Sequence, residues 1–196
     1  YLKLKNFTRG KISYNSVSYD ANNIPEIIKK RAKSIGSNSA INSTDSLVDF
    51  YATMVELTFM EDGYHVPILM FFDNEYKVID LLTTSFDDQA DKFIFWRSAA
   101  ERAKILNAYG FIWVSELWVR NSKINSTKAI HEMPIVDEKV QIVGIDSVNY
   151  KKSIFWNILR KDDQSKPTLS KPEVVDLDEG QSFYMRPILK AIGGDI

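Results

Sequence analysis

The sequence predicts an α+β fold of mixed α/β layers: a mixed sheet of about five strands packed by two long helices, with a short N-terminal helix and a polar C-terminal arm. Three observations carry this. From residue 45 the periodicities run helix, strand, strand, helix, strand, strand, strand. The stretch "GFIWVSELWVR" (110–120) is apolar on both faces, with Phe111, Trp113, Leu117 and Val119 on one and Ile112, Val114 and Trp118 on the other, as a strand in the middle of a sheet requires. A chain of 196 residues, 44% hydrophobic and 26% charged, can bury one sizeable core. The expected organisation is a single α+β domain over 1–160 with a basic segment at 1–36, a polar linker or arm over 161–181, and a docking segment over 182–196.

Each element follows from a local pattern. Segments 1–8 and 11–19 alternate as two short strands about an Arg9-Gly10 turn. "NIPEIIKKRAKSIG" (23–36) places Pro25 in a first helical turn and Gly36 at a C-terminal cap, with Ile24, Ile27, Ile28, Ala32 and Ile35 along one stripe. A helix is expected from Asp45 to about Glu61, with Leu47, Phe50, Tyr51, Met54 and Leu57 inward and Gly63 as a left-handed cap. Runs 65–72 and 76–82 flank a hairpin loop at 73–75, and Pro67, which cannot donate, belongs at a strand start or an unpaired edge. Ser85 and Asp88 read as a capping box opening a long helix closed by Gly110, with Phe93, Trp96, Ala100, Ala103 and Leu106 or Asn107 buried. After strand 111–119 comes a polar loop (120–138), then a hairpin of 139–148 and 152–160. The Lys166-Pro167 and Lys171-Pro172 steps and the charge of 161–181 favour an arm, whereas "SFYMRPILKAIGGDI" is apolar enough to dock.

Composition removes several chemistries. There are no cysteines, so disulfides, thiolate metal sites and cysteine nucleophiles are excluded within these residues. No phosphate-binding glycine loop, nucleophile elbow or H-E-x-x-H helix occurs, and "IHEMP" (130–134) lacks a second histidine. No apolar run is long enough to span a membrane, and "YLKLKNFTRG" lacks the features of a signal peptide, so a soluble, cytoplasmic chain without membrane contact is expected. Net charge is -1, yet residues 1–36 carry eight cations against Asp20 and Glu26, while 37–100 carry eleven acids against three cations.

The residues with chemical potential form three sets. Glu116 sits in the middle of an apolar strand, where an acid must find a partner: an Arg, Lys, Tyr or backbone N–H where the covering helix ends, with Arg97, Arg102 and Arg120 as candidates. If hairpin 65–82 lies beside strand 111–119, Glu116 joins Asp80 and His65 as candidate catalytic groups, and with Asp62 they form a conceivable oxygen-rich cation site, although no metal or cofactor is expected. The candidate binding residues are Lys29, Lys30 and Lys33 on the outward face of their helix, Arg31 inside its apolar arc, and Trp118 with Arg120 as a contact surface. The leading expectation is a non-catalytic domain that binds a protein partner or self-associates. A metal-dependent hydrolase or nuclease using acids at strand ends, and a nucleic-acid-binding accessory using the basic N-terminal segment, are the alternatives.

Overall fold

The computed structural model describes residues 18–20, 26, 29, 30, 33, 41–86, 89–120, 132–162, 165–177 and 183–194. In chain order these form β1 (Ser18–Asp20), α1 (Thr44–Asp62), β2 (Ile68–Phe72), β3 (Val78–Thr83), α2 (Gln89–Leu106), β4 (Gly110–Arg120), β5 (Ile135–Asp146), β6 (Lys151–Leu159), β7 (Thr168–Leu169), β8 (Glu173–Val174), a 3-10 turn (Phe183–Met185) and α3 (Arg186–Ala191). The class is α+β, and the five strands of five residues or more are β2 to β6. The expected N-terminal hairpin lies outside the described residues except for β1. Of the short helix expected over 23–36, Glu26, Lys29, Lys30 and Lys33 are described, and all four are helical.

The sheet runs β1-β3-β2-β4-β5-β6-β7, with β8 also on β6. Every ladder among the described strands is antiparallel, so the expected mixed sheet is corrected. The physical reason is connection length. The β2–β3 and β5–β6 links are tight turns, and α2 returns the chain so that β4 enters antiparallel to β2.

β4 is central, and each of its faces has its own cover. Ile112 and Val114 join Met70, Val140, Ile142 and Trp156 beneath α1, which contributes Leu47, Val48 and Phe59. Phe111 and Trp113 join Leu69, Phe71 and Val143 beneath α2 and α3, which contribute Trp96, Ala99, Ala103, Ile188 and Leu189. Of the four tryptophans whose period reads mostly as core, Trp96, Trp113 and Trp156 are buried and Trp118 is exposed. Trp156 also donates its indole N–H to Glu56 Oε1 of α1 at 2.8 Å, tying that helix to the sheet.

Local chemistry sets the boundaries of the elements. Ser43 caps α1 and exchanges hydrogen bonds with Ser46, and Gly63 ends the helix at φ 78°, the left-handed conformation its lack of a Cβ allows. The second helix departs from expectation at both ends. Its described part runs from Gln89, with Ser85 and Phe86 not helical and Asp88 of the expected capping box outside the described residues, and it stops at Leu106, where Asn107 takes φ 49° in place of the expected glycine cap. Gly110 instead opens β4, where a Cβ would strike the Phe72 ring and lie 2.5 Å from the Ile145 carbonyl oxygen. Phe93 was expected to be buried but is largely exposed; the Phe95, Trp96, Ala99 and Ala103 stripe takes the sheet, and the Arg97 guanidinium stacks 3.5 Å from the Phe93 ring centroid.

The loop expected over 120–138 is also shortened, because β5 begins at Ile135 and stays paired with β4 up to Arg120. The β-branched pair Ile135-Val136 suits a strand, and the loop reading gave it too little weight. Residues 168–169 and 173–174, within the segment expected to be an arm, pair with β6, and the 3-10 turn and α3 of the C-terminal segment pack on the α2 face.

One end of the sheet is knitted together by its loops. Asp146 accepts from the Val148 and Tyr150 backbone N–H groups at 3.0 Å each and from the Thr44 hydroxyl at 2.6 Å, joining the β5–β6 turn to the start of α1. Tyr109 N–H donates to Phe72 O, and Ser147 N–H donates to Tyr109 O, closing the same end from the other side. Because Gly110 lies inside this junction and one of the atoms facing it is backbone, Gly110→Ala is expected to destabilise the chain by about 2 to 3 kcal/mol in urea unfolding. An unchanged midpoint would show that the junction yields.

Candidate functional site

At the opposite end of the sheet the ladders stop at different residues. β2 leaves β4 after the Ile68–Val114 pair, while β4 and β5 continue together to Arg120 and Ile135. β6 reaches β5 no further than the Lys139–Asn157 pair. The ends of β4 and β5 therefore run on as a two-stranded ribbon. Burial follows the pairing, because residues 110–115 of β4 are buried on both faces whereas 116–120 are half-buried or exposed. Both faces of the strand are apolar in sequence, and it is the first half that is buried on both.

Glu116 stands where the buried half gives way to the ribbon. Its Oε1 accepts the backbone N–H of His65 at 2.7 Å, so of the expected kinds of partner it is the main-chain donor, and not one of the three candidate arginines, that meets the acid. Arg97 stacks on Phe93, Arg102 binds Asp80, and Arg120 donates to the Met133 carbonyl. Partial burial raises the Glu116 pKa above the ordinary range and the nearby Glu138 charge adds to this, while the His65 N–H and Arg160 oppose it. Arg160 directs Nε and Nη2 at 3.0 and 2.7 Å to Glu138 Oε2, so a charge pair lies across the ribbon base from Glu116. This pair was not foreseen, since nothing in local sequence brings residues 138 and 160 together.

The proposed trio divides between the two faces of the sheet. His65 is buried beside Glu116, its Nδ1 2.7 Å from the Val66 carbonyl, which makes that nitrogen a donor. Asp80 is opposite Phe71 in the β2–β3 ladder and so lies on the α2 face, where Arg102 binds it through two nitrogens, Nη2 to Oδ1 at 3.0 Å. This ion pair raises the Arg102 pKa. Glu116 shares the opposite face with Val114 and Val140, beneath α1. Asp62 ends α1 and is exposed. Among the described residues no group of three or more His, Asp or Glu side chains could hold a metal ion.

The binding candidates also separate. Lys30 and Lys33 are exposed, Lys29 is half-buried and binds Glu26 at 3.1 Å one turn away, and Arg31 lies outside the described residues. Trp118 is 63% exposed on the ribbon, opposite Glu138, and Val119 is opposite Asp137. Ile135 and Val136 are exposed on the partner strand, where a bulge between Val119 and Arg120 leaves Val136 as the extra residue. Met60, Tyr64 and Val66, from the end of α1 and the approach to β2, are exposed as well. Trp118 was a candidate contact residue from the sequence, whereas the exposure of Ile135 and Val136 was not foreseen because it depends on where neighbouring strands stop.

Glu116 yields a pH prediction with a definite sign. Its pKa is raised in the folded state, so between the unfolded and folded values the native chain binds more protons, and stability falls as pH rises through that window. Glu116→Gln removes this dependence. Urea unfolding from pH 4 to 8 is expected to show the variant gaining stability relative to the parent as pH rises, and a pH-independent difference would show that burial does not control this acid.

The chain matches the family described as bacteriophage lambda protein ea47 over residues 7–196. It is 50% identical over 196 residues to protein ea47 of Escherichia phage lambda, with 100% of the chain and 48% of that relative covered. The chain thus spans about half the length of the curated relative it matches. No solved structure matches. With its whole length aligned at this identity, the chain belongs to the bacteriophage lambda protein ea47 family.

Proposed function

We propose that the chain is a non-catalytic, cytoplasmic domain that binds a protein partner or self-associates, and that its contact surface is the β4–β5 ribbon. The observation that carries this is the run of exposed apolar side chains on paired strand ends: Trp118 at 63%, Val119 at 38%, Ile135 at 43% and Val136 at 56%. Trp118 and Val119 lie on opposite faces of the ribbon, and scattered apolar residues are ordinary on a protein surface, but a largely exposed tryptophan on a thin ribbon with apolar neighbours at its end supports a contact site. Aromatic anchors of this kind dominate binding energy when a partner desolvates them. Met60, Tyr64 and Val66 add apolar surface from neighbouring segments, and the Glu138–Arg160 pair and Arg120 supply a polar rim. The opposite end of the sheet is occupied by its own loops and offers no comparable strip among the described residues.

No helix among the described residues is long and apolar enough to cross a membrane, so the strip is read as a protein contact and not as part of a helical span. Solution mass and partner retention, measured on the parent and on Trp118→Ser/Val136→Ser, test the assignment. The double variant is expected to lose association while its unfolding free energy stays within about 0.5 kcal/mol per exposed site. A strictly monomeric parent that retains no protein, indistinguishable from the variant, would reject the reading.

A further inference from the structure

Among the described residues, the ribbon has an edge to which no strand is paired, met only at its Glu116 end by the approach to β2, where the His65 N–H reaches the side chain. On the side of β4 away from β5, the β2 ladder ends at Val114, and the described residues supply no strand alongside 116–120. Alternate backbone N–H and C=O groups of that stretch therefore point out of the sheet, in position to receive another strand. The edge is five residues long and carries Leu117, Trp118 and Val119 at its centre. Natural sheets rarely leave such an edge open, since it templates pairing with another chain.

The side chains along this edge indicate which strand fits it. Glu116-Leu117-Trp118-Val119-Arg120 is self-complementary when laid antiparallel on itself. A two-fold axis at Trp118 sets Trp118 opposite its copy, Leu117 opposite Val119 and, at both ends, Glu116 opposite Arg120. Alternation puts Glu116, Trp118 and Arg120 on one face, so each tryptophan has the other copy's Arg120 as a diagonal neighbour, in position for a cation–π contact. The corresponding stretch of β5, Ile135-Val136-Asp137-Glu138, has no such match, because antiparallel self-pairing there sets apolar residues opposite acids.

Glu116 itself favours this pairing. The His65 N–H engages Oε1, and no described residue hydrogen-bonds Oε2. An arginine arriving from a second copy would meet that second oxygen and complete the carboxylate's environment.

We infer that two copies of this chain associate through the outer edge of β4, pairing residues 116–120 antiparallel about Trp118 into a sheet continuous across the dimer. This rests on the ribbon being the contact surface and goes further by naming the occupant and its register. Such an interface is isologous, each copy presenting the same five residues to the other.

Paired charge reversals test the register. In R120E or E116K alone, like charges face each other at both ends of the interface, and sedimentation equilibrium is expected to show dimer dissociation constants raised by about tenfold or more. Mixing R120E with E116K restores an acid opposite a base at both ends, so the mixture is expected to form heterodimers with near-parental affinity. A folding defect in either variant would not be repaired by mixing. As a second measurement, W118C places two thiols across the axis in a chain that has no other cysteine, and mild oxidation is expected to yield a covalent dimer. L117C is expected not to cross-link, because its counterpart is offset by two residues. The inference is overturned if the mixture fails to heterodimerise while both variants fold, or if W118C cross-links no better than L117C. A dimer abolished by the Trp118→Ser/Val136→Ser variant but indifferent to the charge reversals would overturn the edge pairing and leave the ribbon as the contact surface. A monomer without partners would overturn both.

Discussion

The rest of the structure depends on the double burial of the first half of β4. Phe111 and Trp113 on one face and Ile112 and Val114 on the other each forfeit about 2 kcal/mol if left in water, so both faces need a roof. α1 provides one roof, and α2 with α3 provides the other. The hairpin β2–β3 and the strands β5 and β6 extend each face sideways to the width the helices cover. Gly110 is a local consequence of the same demand. At the foot of the central strand, the Phe72 ring and the Ile145 carbonyl close in until no side chain fits.

The two ends of β4 meet different conditions. At Gly110 the loops interlock through backbone hydrogen bonds and through Asp146, whose carboxylate gathers donors from the β5–β6 turn and from Thr44. Hydrogen bonds to a charged acceptor contribute more than neutral ones, so this end is held by a few strong polar contacts together with the packed rings of Phe72, Tyr76 and Tyr109. At Arg120 the helices have run out and the neighbouring strands have stopped, leaving two strands to support one another. A two-stranded ribbon is marginal in water, which makes an apolar surface on it costly to maintain unless something covers it.

Much of this architecture was legible in the sequence where side-chain period and backbone chemistry agree. The helix over 44–62 and its Gly63 cap, the two tight hairpins and the central place of β4 all follow from spacing and from residues with one conformational role. The errors fall where tertiary context overrides local signals. Phe93 has a helical phase close to that of Trp96, but the sheet selects the Phe95, Trp96 and Ala99 stripe and leaves Phe93 to stack with Arg97. Asn107 rather than a glycine supplies the left-handed turn, which asparagine tolerates better than other residues with a Cβ. The candidate site was less legible still. Pairing register decides which face a residue occupies, and register placed Asp80 of β3 on the α2 face and Glu116 of β4 on the α1 face, with β2 between the two strands.

Glu116 shows how one residue carries both kinds of information. An acid inside "FIWVSELWV" reads as a violation of an apolar strand, and that reading assumes the strand is equally buried along its length. Its burial falls away at residue 116, so the acid occupies the last position roofed by α1 and the first at which a carboxylate is tolerated. Partial desolvation raises its pKa, one main-chain N–H compensates in part, and Glu138 adds repulsion that its ion pair with Arg160 moderates. A valine at 116 would extend the apolar core by one residue and continue the apolar surface of the ribbon without interruption, a profile that favours unspecific strand addition. A charge placed there separates the packed half of the strand from the exposed half, at a cost that the His65 N–H reduces but does not remove.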